Sequence, residues 1–209
     1  GVPCGLMDQC ASVLGRAGHA LLLDCRTLEH RPVPIPPDAA VVVVDTGVRH
    51  ALAGGEYAMR RAQCAAAAQG LGVASLRDVP NIAQVDGAGL PDLLRRRARH
   101  VVMENQRVME FARALSAGDL PAAGLLMDES HRSLREDYEV SCPELDRAAA
   151  GLRTMPGVFG ARMTGGGFGG CAIALADRPL AKGIAARAAA DGLGVRARVA
   201  RPEAGARLV

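Results

Sequence analysis

Apolar positions return along this chain in two rhythms, one helical and one strand-like. In CGLMDQCASVLG, Leu6, Met7, Cys10, Val13 and Leu14 recur near helical spacing and Gly15 supplies a stop, which predicts a short helix. HALLLDC and AAVVVVDT, set apart by the proline-rich RPVPIPP, predict strands. Gly54 and Gly55 then precede a helix expected from about Glu56 to Gln69. Three more helices are expected in LPDLLRRRARHVVMENQRVMEFARAL, LPAAGLLMDESHRSLR and CPELDRAAAGLRTM. In the last, Ser141 is placed to cap and Pro143 to occupy the first turn. The rest reads strand, glycine loop, strand, helix, strand through GVFGARMT, CAIALA, PLAKGIAARAAA and VRARVA. With AAVVVVDT as an earlier strand, this order matches the split βαβ arrangement with helices inserted before the hairpin, an α+β fold.

Composition narrows the picture. A chain of 209 residues can bury a proper core, but its only aromatic residues are Tyr57, Tyr138, Phe111, Phe159 and Phe168. The core is therefore expected to be Ala, Val, Leu and Met. A net charge of +3 and the shortage of stacking side chains argue against nucleic acid as a partner. The longest apolar runs are far too short to cross a bilayer. Six cysteines, at 4, 10, 25, 64, 142 and 171, form no C-x-x-C pair and no zinc-finger spacing with histidine. Reduced thiols and a cytoplasmic protein are the expectation. The chain opens on Gly1 with no initiator methionine, which reads as a fragment or a start that is missing.

The stretch MTGGGFGG, residues 163 to 170, carries five glycines in the six positions 165–170. Gly165, Gly167 and Gly170 satisfy G-x-G-x-x-G, but the dinucleotide fingerprint needs a helix to begin there, and a strand-like segment follows. A Walker loop fails as well, for want of Gly-Lys-Ser/Thr. A plain hairpin turn needs only one or two residues of positive φ. The surplus glycines point either to close packing against another backbone or to a ligand.

Asp8, near the start of the first predicted helix, is read in two ways. A carboxylate there favours the helix N-terminus, by about 0.3–1 kcal/mol. With Gly5 three residues earlier and apolar neighbours, it is also a candidate base toward a hydroxyl. Tyr57, just after Gly54 and Gly55, either presents a phenol to a ligand or anchors a core. LRRRARH, Arg60 and Arg61 read as solvated basic faces. His131 reads as a structural hydrogen-bonding histidine, because no second His or Cys falls at metal-ligand spacing.

Taken together and in order, GVPCGLMDQ, GHALLLDCRTLE, VRHALAGGEYAMRRAQC, RRARHVVMENQRV, ESHRSLREDYEVSCPELD and GARMTGGGFGGC resemble the galactokinase family of the GHMP kinase superfamily, over essentially the whole chain. The resemblance implies a ferredoxin-like C-terminal GHMP kinase domain at residues 20–209, preceded by a remnant of the N-terminal domain at residues 1–19. It implies Asp8 as the catalytic aspartate facing the anomeric hydroxyl of galactose, Gly5 as a backbone contact to the sugar, and Tyr57 as a wall of the sugar pocket. Gly165, Gly166, Gly167, Gly169 and Gly170 match the glycine motif that packs beside the phosphate loop. ATP and Mg2+ are the implied cosubstrate and cofactor, with no metal ligand expected among these residues. The family's assisting arginine, its sugar-binding Gly-Glu-His segment and its ATP loop are not found here. An N-terminal domain packed against this chain is therefore implied, and an isolated fragment without kinase activity. A non-catalytic galactose sensor and an N-acetylgalactosamine kinase are the alternatives the resemblance leaves open.

Overall fold

The computed structural model describes residues 5–49 and 53–206, with side chains of 53 and 54 omitted. Cys4 and the segment around His50 lie outside them. A short helix α1 (Met7–Leu14) leads into a ribbon of β1 (His19–Leu23) and β2 (His30–Pro34). Strand β3 (Ala39–Asp45), helix α2 (Ala53–Gly70), a 3-10 turn (Leu76–Asp78) and α3 (Ile82–Gly87) follow. Two long helices, α4 (Asp92–Ala117) and α5 (Leu120–Glu136), precede α6 (Pro143–Arg153). The chain closes with β4 (Val158–Thr164), β5 (Cys171–Asp177), α7 (Ala181–Ala190) and β6 (Arg196–Ala200).

The main sheet has the order β4-β5-β3-β6 and is antiparallel throughout. The first strand of the unit sits between the last two, which is the split βαβ topology expected from the element order. Both sheet faces are covered, so β3 and β5 read as unbroken apolar runs rather than alternations. Ala40, Val42 and Val44 of β3, with Ala172, Ala174 and Ala176 of β5, pack under α6 and α7. Ala39 and Leu175 face the other way, against Ala112 and Leu115 of α4 and Leu120, Ala123 and Met127 of α5. Alanine on the strands lets the helices sit close, which offsets the shortage of aromatic bulk. At one point the approach is closer than any side chain allows. A Cβ on Gly124 of α5 would lie 2.1 Å from the Phe159 carbonyl oxygen, and one on Gly160 would lie 2.0 Å from the Gly124 oxygen. A bulge between Val158 and Gly160 accompanies this contact.

Three details differ from the sequence reading. The proline-rich RPVPIPP contains strand β2, with Pro32 and Pro34 on alternate positions so that Arg31 and Val33 keep their donors. The 3-10 turn and α3 were not expected; Asn81 caps α3 by accepting from the Gln84 amide. Ser141 does not cap α6: Cys142 holds the N-cap position with no side-chain cap bond, while Ser141 Oγ donates to Asp146 Oδ1 at 2.6 Å. Pro143 does sit in the first turn.

Helix α1 stands apart from these cores. None of its residues is buried, and Leu6, Met7 and Val13 are exposed apolar side chains. Its far end is held by residues 202–206: the Gly205 amide donates to the Gly15 oxygen and the Ala206 amide to the Ser12 oxygen, both at 2.7 Å.

Candidate active site

Asp8 lies in the first turn of α1, exposed and with Leu6 at a cap position that carries no side-chain cap bond. The unsatisfied amides of that turn favour its negative charge. Gly5 is exposed, and a Cβ there would meet nothing within 4 Å, so its backbone is open to a ligand. Tyr57 sits in the first two turns of α2 and is 39% exposed.

Tyr57 borders a cleft of about 1290 Å³ between the β1–β2 ribbon, α2 and α4. Leu22, Arg61, Cys64, Met109 and Tyr138 also line it, giving a mixed apolar and polar wall. Ion pairs from Arg77 to Asp24 and from Arg26 to Asp78 tie the ribbon's turn to the 3-10 turn at one end. The Arg77 guanidinium, followed by the Thr27 and Arg26 amides, holds the Asp24 carboxyl well below the usual carboxylate range. Neither Asp8 nor any residue of 165–170 lines this cleft. The structure thus shows three separate described features, an open carboxylate, a phenol at a cleft mouth and a glycine loop, rather than one enclosed pocket.

The glycine loop joins β4 to β5, and its glycines divide into two kinds. Gly167 has φ +90° and a Cβ there would meet the Val140 carbonyl oxygen at 2.3 Å. Gly169 has φ +138° and would meet the Val48 oxygen at 2.7 Å. These two are packing glycines. Gly165 and Gly166 are exposed with nothing near their missing side chains, so their backbone is free to face a ligand. The packing role left open by the sequence is therefore present in this loop, beside a stretch of open backbone. Phe168, between the packing pair, takes φ 60° and its amide donates to the Val140 oxygen at 2.7 Å. Gly170 closes the loop: its amide donates to Val48, and its carbonyl accepts from the Thr46 amide and hydroxyl.

Beneath the loop lies a polar hub that sequence reasoning missed. Arg60 is not a solvated residue: its Nε donates to the Tyr138 carbonyl at 2.6 Å and its second guanidinium nitrogen to the Glu139 carbonyl at 2.7 Å. Arg97, expected on a solvated face, is 1% exposed and bonds Gln63, the Asp137 carbonyl and Glu139. Arg61 is exposed, as expected. No local signal distinguishes Arg60 from Arg61, since the partners lie beyond three intervening α-helices, α3, α4 and α5. His131 is buried and structural, as expected: the Met163 amide donates to its Nδ1 at 3.2 Å. Its Nε2 lies 3.2 Å from Asp146 Oδ1 but off-line for a hydrogen bond.

Among the described residues, no group of three or more His, Cys, Asp or Glu side chains could hold a metal ion. The five described cysteines, Cys10, Cys25, Cys64, Cys142 and Cys171, are free. Among the described residues no helix is long and apolar enough to cross a membrane.

Residues 111–192 match the family model described as GHMP kinases C terminal, and with the topology and loop above the chain has the C-terminal fold of the GHMP kinase superfamily. Within that superfamily its likeness is to galactokinases. It is 52% identical over 182 residues to the galactokinase of Homo sapiens, covering 85% of this chain and 46% of that protein. It is 54% identical over 182 residues to the galactokinase of Chloroflexus aurantiacus, covering 84% of this chain and 46% of that one. The crystal structure of Lactococcus lactis galactokinase complexed with galactose superposes with a TM-score of 0.88 at 34% identity, over 99% of this chain and 56% of that chain. An L. major mevalonate kinase in complex with R-mevalonate, 22% identical with a TM-score of 0.52 over 85% of this chain and 47% of that chain, shares the fold. The chain spans about half the length of the curated relatives it matches.

Proposed function

We propose that this chain is the C-terminal part of a cytoplasmic galactokinase, which transfers the γ-phosphate of ATP to the C1 hydroxyl of α-D-galactose. The observation that carries this reading is identity of about half to galactokinases over 85% of the chain. In this reading residues 1–19 belong with the N-terminal domain and residues 20–209 form the C-terminal one. The latter supplies the tyrosine side of the sugar pocket and the glycine loop.

The roles follow from the chemistry of each group. Asp8, an exposed carboxylate at a helix start, accepts or orients the proton of the attacking hydroxyl. The Gly5 backbone and the Tyr57 phenol position the sugar, because phosphoryl transfer depends on alignment more than on covalent chemistry. Gly165 and Gly166 present open backbone beside the phosphates, while Gly167 and Gly169 anchor the loop, with Gly170 closing it against Thr46 and Val48. The residues that cradle ATP and Mg2+ belong to the other half of the enzyme, which packs against this chain and covers the apolar side of α1.

The test is Asp8→Asn in a full-length galactokinase containing these residues. Turnover should fall by about 10²–10⁴-fold, with galactose affinity changed far less. Turnover within a few-fold of the parent removes Asp8 from the chemistry. The 209-residue chain on its own should give no ATP-dependent sugar phosphate, and a clear product from it overturns the division of labour.

A further inference from the structure

Helix α2, which carries Tyr57, and the glycine loop are connected through one short segment, Asp137–Val140. Val140 is buried, and its carbonyl accepts the Phe168 amide at 2.7 Å. The same carbonyl oxygen lies only 2.3 Å from where a Cβ of Gly167 would be. Glu139 takes the left-handed conformation, φ 55°, which a glutamate adopts only when its surroundings hold it there. Arg60 supplies that hold from α2. Its planar fork spans two successive carbonyls, Tyr138 and Glu139, and its guanidinium carbon lies 5.8 Å from the centre of the Phe168 ring. Arg60 stands three positions after Tyr57, so both project from neighbouring turns of one helix.

The geometry points to Arg60 as a positioning residue that sets the conformation of the glycine loop, keeping Gly165–Gly170 in register with the helix that bears Tyr57. It touches no reacting atom. It fixes the carbonyls of 138 and 139, these fix the direction of the Val140 carbonyl, and Val140 holds Phe168 and Gly167. Arg97 braces the same segment from α4 through the Asp137 carbonyl and the Glu139 carboxylate and meets α2 at Gln63, and Cys64 of α2 lies 3.6 Å from the Tyr138 hydroxyl. Arg60 alone combines carbonyl bonds to this segment with a guanidinium over the Phe168 ring, which makes it the direct link from α2 to the loop among the described residues. The functional meaning of that link rests on the galactokinase reading; the link itself does not.

The test is hydrogen exchange on the full chain for Arg60→Ala, Arg60→Lys and the surface control Arg187→Ala. Loss of two charge-assisted bonds should speed exchange at the Phe168 and Gly170 amides by about tenfold or more, while β3 and β5 amides stay protected. Arg60→Lys keeps the charge but not the fork and should fall between, and Arg187→Ala should match the parent. Unchanged exchange at 165–170 overturns the proposal, and so does a rise shared equally by β3 and β5, which would make Arg60 merely structural. Kinetics of the same substitutions in a full-length galactokinase form the second arm. A fall in kcat that Arg60→Lys partly restores, with galactose KM little moved, supports the loop's place beside the phosphates. A loosened loop with unaltered kinetics leaves the Arg60 link standing and counts against the phosphate-side role of the loop.

Discussion

Arg97 is buried to 1% exposure, and its guanidinium lies 2.5 Å from the carboxylate of Glu139, a residue 40% exposed. The pair joins the inside of α4 to the rim of the glycine-loop hub, and Arg97, then Arg96, hold the Glu139 carboxyl below its ordinary range. A buried guanidinium is tolerable only because every arm is used, on Gln63, the Asp137 carbonyl and Glu139. Arg97→Met fills similar volume yet strands those partners. It should cost about 2–4 kcal/mol in urea unfolding, against near-neutrality for Arg187→Met on the surface.

The two packed histidines predict an acid limb of stability. Burial is the main cause that pushes His100 and His131 down to about 4, from an ordinary 6.5. For His100, Glu104 opposes and Arg107 assists; for His131, Arg153 assists and Asp146 opposes. Both rings are therefore neutral in the fold, and His100 uses Nδ1 to donate to Ser133 Oγ, whose own proton goes to Asp137. Since the folded values lie below the unfolded one, the unfolded chain takes up protons first as pH falls. The stability is complete above pH 6.5 and is lost progressively down to pH 4. Each ring contributes at most about 3 kcal/mol across that window. Urea midpoints measured between about pH 7 and pH 4 should fall steadily, and His100→Gln should flatten the slope.

The contact between α5 and β4 leaves no room for a methyl group. Gly124→Ala would drive a Cβ into the Phe159 carbonyl, and backbone cannot swing aside as a side chain can. A loss of about 3 kcal/mol or more is expected in thermal or urea unfolding, beyond the usual range for an overfilled core. Gly87→Ala, with open space around it, is the matched comparison and should be neutral or slightly stabilising.

Within the glycine loop, stability and activity should separate. Gly169→Ala meets Val48 with an unfavourable φ and should destabilise by about 2 kcal/mol or more. Gly166→Ala meets nothing and has no left-handed φ, so its melting temperature should stay close to the parent's. If the open backbone faces phosphate, Gly166→Ala in a full-length galactokinase should nevertheless lower kcat or raise the ATP KM. An active, stable Gly166→Ala enzyme would remove that glycine from the site.

Much of this architecture could be read from periodicity. Val42 and Val44 announce a buried strand, and the long helices show their apolar stripes because each covers a sheet face or another helix. Strand β2 was hidden by Pro32 and Pro34, which disqualify a central strand but not one side of a two-stranded ribbon. Asp8, Tyr57 and the glycines of 165–170 each carry a structural and a chemical reading in their local sequence, and only motif order favours the chemical one. Arg60 and Arg97 were misread because burial of an arginine is decided by carbonyls some forty to eighty positions away. Likewise nothing near Gly167 signals the Val140 carbonyl beneath it.

The strap formed by residues 202–206 gives the opening helix a second dependence. Because Gly205 and Ala206 clasp Gly15 and Ser12, the helix that carries the carboxylate at position 8 is steadied by backbone hydrogen bonds from the opposite end of the described chain. Lesions in residues 202–206 and lesions in α1 should consequently share a phenotype, a slackened Asp8 on an otherwise intact sheet.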